Sequence, residues 1–113
     1  MDVGKISFDG KTLDIGAKTF ELEYPIHDAF VSKDRIIVLF DHMAQREAGQ
    51  FNNLVAINRD GDRIWVAEHP TTTTSDVYIE IVEKDPLIVW NFAGYRCTID
   101  VDDGKLIEAR FTK

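Results

Sequence analysis

Val31-Ser32-Lys33-Asp34-Arg35-Ile36-Ile37-Val38 lies over Val82-Glu83-Lys84-Asp85-Pro86-Leu87-Ile88-Val89, sharing a leading valine, a Lys-Asp pair and a closing Ile-Val. An internal repeat constrains the fold before any single element is assigned, because each copy must then be one supersecondary unit. Two further matches keep the same order. Ile57-Asn58-Arg59-Asp60-Gly61-Asp62-Arg63-Ile64 lies over Ile99-Asp100-Val101-Asp102-Asp103-Gly104-Lys105-Leu106-Ile107 with one residue inserted. Upstream, Phe20-Glu21-Leu22-Glu23-Tyr24-Pro25 lies over Trp65-Val66-Ala67-Glu68-His69-Pro70. A longer loop in the first copy accounts for the shortening of the spacing between matches.

Each copy reads as four short strands, from β-branched and aromatic enrichment, two-residue alternation and turn residues. In the first copy they fall at 26–32, 36–40, 54–58 and 63–68, and in the second at 77–82, 87–92, 95–101 and 106–112. Lys33-Asp34 and Lys84-Asp85 make the first turns, and Asp60-Gly61 and Asp103-Gly104 the last, where glycine tolerates the positive φ of a tight hairpin. An N-terminal hairpin turning at Asp9-Gly10 precedes a strand at 19–24, and one helical turn over 43–48 is the only helical candidate. Residues 36–40 and 87–90 are continuously apolar, which predicts strands covered on both faces. The segments at 95–101 and 106–112 alternate apolar with polar and predict one wet face. The expected fold is therefore all-β and antiparallel: two four-stranded blade-like sheets packed together with an extra N-terminal hairpin. The chain forms a single domain over 1–113, with the first repeat at 19–69 and the second at 70–113.

The forms NLVAINRDGDRIW, starting at Asn53, and YRCTIDVDDGKLI, starting at Tyr95, carry an apolar strand, Ile-Asn or Ile-Asp, then Asp-Gly, then another strand. This order resembles the blade repeat of quinoprotein-type and related β-propellers, over residues 20–113. The resemblance implies shape rather than activity. Propellers close with about four to eight blades, and two copies with a fragment do not reach that number, so a self-contained pair of packed sheets or an assembly of chains is expected. No residue matches a quinone or metal site of the enzyme members.

A net charge of −7 works against a nucleic-acid partner, which needs clustered Lys and Arg. It suits solubility or a basic protein partner. No apolar run approaches the roughly 18 residues of a membrane span, the N-terminus has no signal-peptide core, and the single Cys97 forms no internal disulfide. A cytoplasmic protein with no membrane contact is expected, of the small acidic kind that includes bacterial immunity proteins.

Few residues point to chemistry. Asp100, Asp102 and Asp103 lack the spacing of a calcium loop and predict an acidic hairpin turn. His27, His42 and His69 have no metal-ligand spacing, and Cys97 falls on an inward strand position, so no metal, cofactor or catalytic group is expected. Trp65, Trp90, Phe92 and Tyr95 are expected in the core rather than as a stacking platform. The largest break in the repeat is the 41–53 loop, where the second copy has only Ala93-Gly94. Insertions on one repeat form binding loops, which makes Asp41, His42, Gln45, Arg46, Glu47 and Phe51 the candidate binding residues. The expected function is a non-catalytic module that binds another protein, of immunity type, or self-associates. The alternative is a small enzyme or ligand carrier with a pocket between the sheets, using His42, Arg46 and Glu47 as polar groups. The run Thr71-Thr72-Thr73-Thr74-Ser75-Asp76 reads as a connector.

Overall fold

The computed structural model describes residues 5–16, 18–45, 50–72 and 76–112. Among them it contains eleven strands and no helix. Strands β1 (Ser7–Asp9), β2 (Thr12–Asp14) and β3 (Thr19–Glu21) form an antiparallel N-terminal sheet, so the segment following the hairpin completes that sheet. Strands β4 (Ile26–Ser32), β5 (Arg35–Phe40), β6 (Leu54–Ile57) and β7 (Arg63–Val66) form the second sheet in chain order. Strands β8 (Tyr78–Glu83), β9 (Leu87–Asn91), β10 (Tyr95–Ile99) and β11 (Leu106–Phe111) form the third. Residues 43–45 turn without forming a helix, and 46–48 lie outside the described residues.

The sheets stack as layers, and the middle one is covered on both faces. One apolar cluster, including Leu13, Ile36, Val38, Phe40 and Val55, joins the N-terminal sheet to the middle sheet. The other, including Ile37, Leu39, Leu54, Trp65, Tyr78 and Val89, joins the middle sheet to the third. Every residue of β6, and every residue of β5 after Arg35, is buried, as its continuous apolar run requires. The equally apolar β9 departs from expectation: Ile88 and Trp90 are only half-buried. The third sheet ends the stack, so among the described residues no further sheet packs against its second face. Trp65 is buried, but Phe92 is exposed and Trp90 and Tyr95 are partly so, which corrects the expectation that all four aromatics are core.

One contact recurs at the two junctions. A Cβ on Gly61 would lie 2.7 Å from the Phe20 ring, and one on Gly104 would lie 2.6 Å from the Trp65 ring. Phe20 and Trp65 are aligned positions of the sequence, as are Gly61 and Gly104. Glu23 Oε1 meets Arg63, and its counterpart Glu68 Oε1 accepts the Leu106 N–H at 2.7 Å. Each layer thus sets an aromatic ring on the next layer's turn glycine and a glutamate at the start of its last strand.

The outer faces of the stack are polar where the inner faces are apolar. On the N-terminal sheet, Ser7, Asp14 and Thr19 stand in one row of registered pairs and Asp9, Thr12 and Glu21 in the next. On the third sheet, Arg96 opposes Arg110 and Thr98 opposes Glu108. These positions correspond to Leu54, Ala56, Trp65 and Ala67 of the middle sheet, all of which are buried. Charged outer faces cap a stack of repeats and stop further layers from adding.

Candidate functional site

The 41–53 loop divides into an exposed limb and a structural limb. Asp41 opens it: its N–H donates to Pro25 O, its Oδ1 accepts the Met43 N–H at 2.9 Å and its carbonyl accepts the Ala44 N–H. His42 Nδ1 lies 3.9 Å from Asp41 Oδ1, and Met43 projects to solvent at 65% exposure. Gln45 and Phe51 meet at a shallow depression of about 190 Å³ shared with Tyr24, Glu23 and Arg63. Arg46 and Glu47 lie outside the described residues. Phe51 is 5% exposed, with its ring edge-on to Tyr24 at 4.8 Å, so it anchors the loop rather than presenting a contact surface.

The return limb closes the end of the sheet stack. Gln50 Nε2 donates to Thr71 O at 2.8 Å and to Asp76 Oδ2 at 3.1 Å, and the Phe51 N–H donates to Asp76 O. Asp76, buried, also accepts from Asn91 Nδ2 and from the Thr71 hydroxyl. Residues 71 and 76 are therefore part of a polar clamp, although 73–75 fall outside the described residues. Polar groups so enclosed are tolerated because each finds a partner.

A cysteine, a histidine and an aspartate come together here, and their environment argues against nucleophilic chemistry. Cys97 is 0% exposed and burial pushes its thiol up to about 11, which keeps it neutral and unreactive near neutral pH. Burial also raises the Tyr78 phenol above its usual range, and its hydroxyl donates to Glu68 O. His69 stacks on the Tyr78 ring at 5.2 Å with Nε2 3.1 Å from Asn52 Oδ1. Burial holds the imidazole below its ordinary pKa of 6.5, opposed in part by the charge of Asp76 and the Phe51 carbonyl.

A pH dependence follows from His69. The folded imidazole binds its proton less readily than the unfolded one, so the stability it contributes is complete above pH 6.5 and declines as the pH falls below that value. His69→Phe keeps the stack on Tyr78 and removes the titration. Its unfolding free energy in urea is expected to vary less than the parent's from neutral pH downward through this window. An unchanged slope would assign the titration to another group.

A larger cavity lies elsewhere. A groove of about 560 Å³ runs along residues 29–33 of β4 and the following turn, walled by Lys5 and Ile6 on one side and by Lys84, Asp85 and Val101 on the other. Three of its four charged lining residues, Lys5, Lys33 and Lys84, are positive in a chain of net charge −7. Lys33, at φ 57°, donates to Asp102 at 2.8 Å, and Lys84 Nζ sits 5.5 Å above the centre of the Phe30 ring. Arg35 fixes the adjoining turn through Val101 O and Asp102 O. In that turn Asp100 Oδ1 accepts the Asp102 N–H and Asp103 Oδ1 the Lys105 N–H, so these carboxylates hold a hairpin.

A family described as a domain of unknown function, DUF7957, matches residues 3–111. The chain belongs to that family. No curated protein and no solved structure matches it. In this DUF7957 domain no group of three or more potential metal ligands gathers among the described residues, and no helix there is long and apolar enough to cross a membrane.

The groove of this DUF7957 domain is not visible in the sequence pattern, although the alignment of the copies carries one signal. Lys33 and Lys84 occupy the same turn position in the two copies, and the stacking of the sheets brings those turns to one end. Lys5 joins them from the N-terminal sheet, which no repeat could foretell.

Proposed function

We propose that this domain is a non-catalytic protein-binding module that seats a short acidic segment of its partner in the groove beside β4. The groove carries this reading: it offers about 560 Å³, it runs along the outward edge of a terminal strand, and its charge opposes that of the whole chain. Counting back from the two-residue turn after Ser32, Val31 directs its backbone N–H and C=O away from β5, toward the groove. A segment lying there finds backbone partners at Val31 and ammonium groups on either side. Asp28 Oδ1 takes the Ala29 N–H at 2.9 Å, which limits the docked length. The whole-chain charge favoured a basic partner; the local charge favours an acidic segment. The space between sheets that a ligand carrier would use is filled by Leu39, Leu54, Tyr78 and Val89.

The probe is a fluorescent peptide alternating glutamate with threonine, compared by anisotropy with its lysine counterpart. The acidic peptide is expected to bind, more weakly as salt rises, because exposed charges are screened. Lys84→Glu with Lys5→Glu should abolish binding while leaving the unfolding midpoint within a few degrees of the parent. Equal binding of both peptides, or binding unaffected by the double substitution, would refute the reading.

A further inference from the structure

We infer that β11 is the contact strand of a symmetric homodimer, pairing antiparallel with β11 of a second copy to join two third sheets into one. The inference concerns the edge of the third sheet, whereas the groove lies beside β4 of the middle sheet, and it stands independently of that groove.

β11 is a terminal strand, and among the described residues its other edge is not hydrogen-bonded to any strand. The remaining terminal strands of the two four-stranded sheets offer shorter or interrupted edges for strand pairing. β8 has two register shifts and presents Glu80 and Glu83, while β4 has one shift and ties up its Ala29 N–H. β7 is only four residues long. β11 is six residues long and exposes Ile107 at 64% and Phe111 at 56%. Exposed apolar side chains on a long open edge are what native sheets otherwise avoid.

The occupant follows from the register. The Thr112 N–H donates to Gly94 O, so by alternation Arg110 and Glu108 direct their backbone groups to β10. Ala109 and Phe111 then direct theirs outward. An antiparallel copy centred on Ala109 lets the two Ala109 residues exchange both backbone hydrogen bonds. The same register places Ile107 opposite Phe111 of the second copy and Glu108 opposite Arg110 of the second copy. Glu108 and Arg110 fall at the non-hydrogen-bonded pairs, where side chains approach most closely. Opposite charges facing one another there are favourable, and like charges are not. The strand is therefore self-complementary about one residue in backbone, apolar contact and charge, as a two-fold interface requires.

The test is the solution mass of the full chain by sedimentation across a micromolar dilution series, with circular dichroism as the control for folding. The parent is expected at twice the 12.9 kDa of the chain, dissociating on dilution. Ala109→Pro removes an outward N–H and no bond to β10, and should give a monomer. Glu108→Arg and Arg110→Glu should each raise the dissociation constant about tenfold, because two like-charge pairs replace two opposite ones. Combining both restores opposite charges across the axis and should return the constant to near the parent value. A monomeric parent at every concentration would overturn the inference. So would a dimer indifferent to Ala109→Pro, or failure of the combined charge reversal to recover dimerisation.

Discussion

Gly104→Ala is expected to destabilise the domain by about 2–5 kcal/mol, more than alanine at Gly10, Gly16 or Gly61. Two costs add. Gly104 has φ +77°, a conformation that costs an L residue roughly 1–2 kcal/mol. The new Cβ would also stand 2.6 Å from the Trp65 ring, and overpacking of a closed site costs about 1–3 kcal/mol. The ring has little freedom to yield, because Trp65 Nε1 donates to Val101 O at 2.9 Å and its body is buried between two sheets. Gly61→Ala meets the same geometry against Phe20, which is only half-buried and carries no polar handle, so its cost should be smaller. Gly10→Ala and Gly16→Ala meet nothing within 4 Å and should cost only the roughly 1–2 kcal/mol of backbone strain. Urea unfolding of the four variants gives the order. A Gly104 variant no less stable than the Gly10 variant would show that the ring-on-glycine contact is not tight.

The strands of both four-stranded sheets were legible because their signals are local. Arg35–Phe40, Leu54–Ile57 and Leu87–Asn91 fall within about two residues of the segments read from β-branched runs and Asp-Gly turns. The ends differ where a residue leaves the ladder for another layer. Glu68, read as the end of a strand, instead donates its N–H to Gly104 O of the next sheet. Burial was less legible. Residues 36–40 and 87–90 are equally apolar, yet only the first lie in a sheet with neighbours on both sides. Hydrophobicity records that a face can be buried, and the number of layers decides whether it is. The change from Leu54 and Trp65 to Arg96 and Glu108 at equivalent positions was the available sign that the third sheet is the last.

The candidate site was legible only in part, and the reason is tertiary. Aligning the copies isolated the 41–53 loop, but an insertion can serve the fold as readily as a partner. Its outgoing limb, with Asp41, His42 and Met43, faces solvent, whereas Gln50, Phe51 and Asn53 bind the ends of two sheets together. The loop's polar composition suits a surface for another protein, yet much of it is spent on backbone and carboxylate groups of the same chain. Lys5, Lys33 and Lys84 are remote in sequence and converge only when three layers stack.

Asn53→Ala is expected to cost about 3–5 kcal/mol, a loss comparable to that of Gly104→Ala and reached by the opposite route. Asn53 is 0% exposed, and its amide imitates a paired strand residue. Oδ1 accepts the Tyr78 N–H at 2.9 Å, and Nδ2 donates to Tyr78 O at 2.6 Å and to Phe40 O at 3.0 Å. One side chain thus joins the end of β5 to the start of β8 across the layer boundary. Alanine leaves the Tyr78 N–H and C=O without these partners inside a closed core, and each such group costs roughly 1–3 kcal/mol. The Tyr78 amide should lose hydrogen-exchange protection more than amides in the middle of β9 do. Asn53→Asp separates this account from a simple packing defect. Its volume is nearly unchanged, but an ionised carboxylate would face two carbonyl oxygens, so its pKa in the folded state should rise above the unfolded value. The variant should therefore be least impaired at acid pH and lose stability as the pH rises through that folded pKa. This trend is opposite in sign to the one expected from His69. Equal loss of stability by Asn53→Asp at acid and neutral pH would remove the amide bridge from its assigned role.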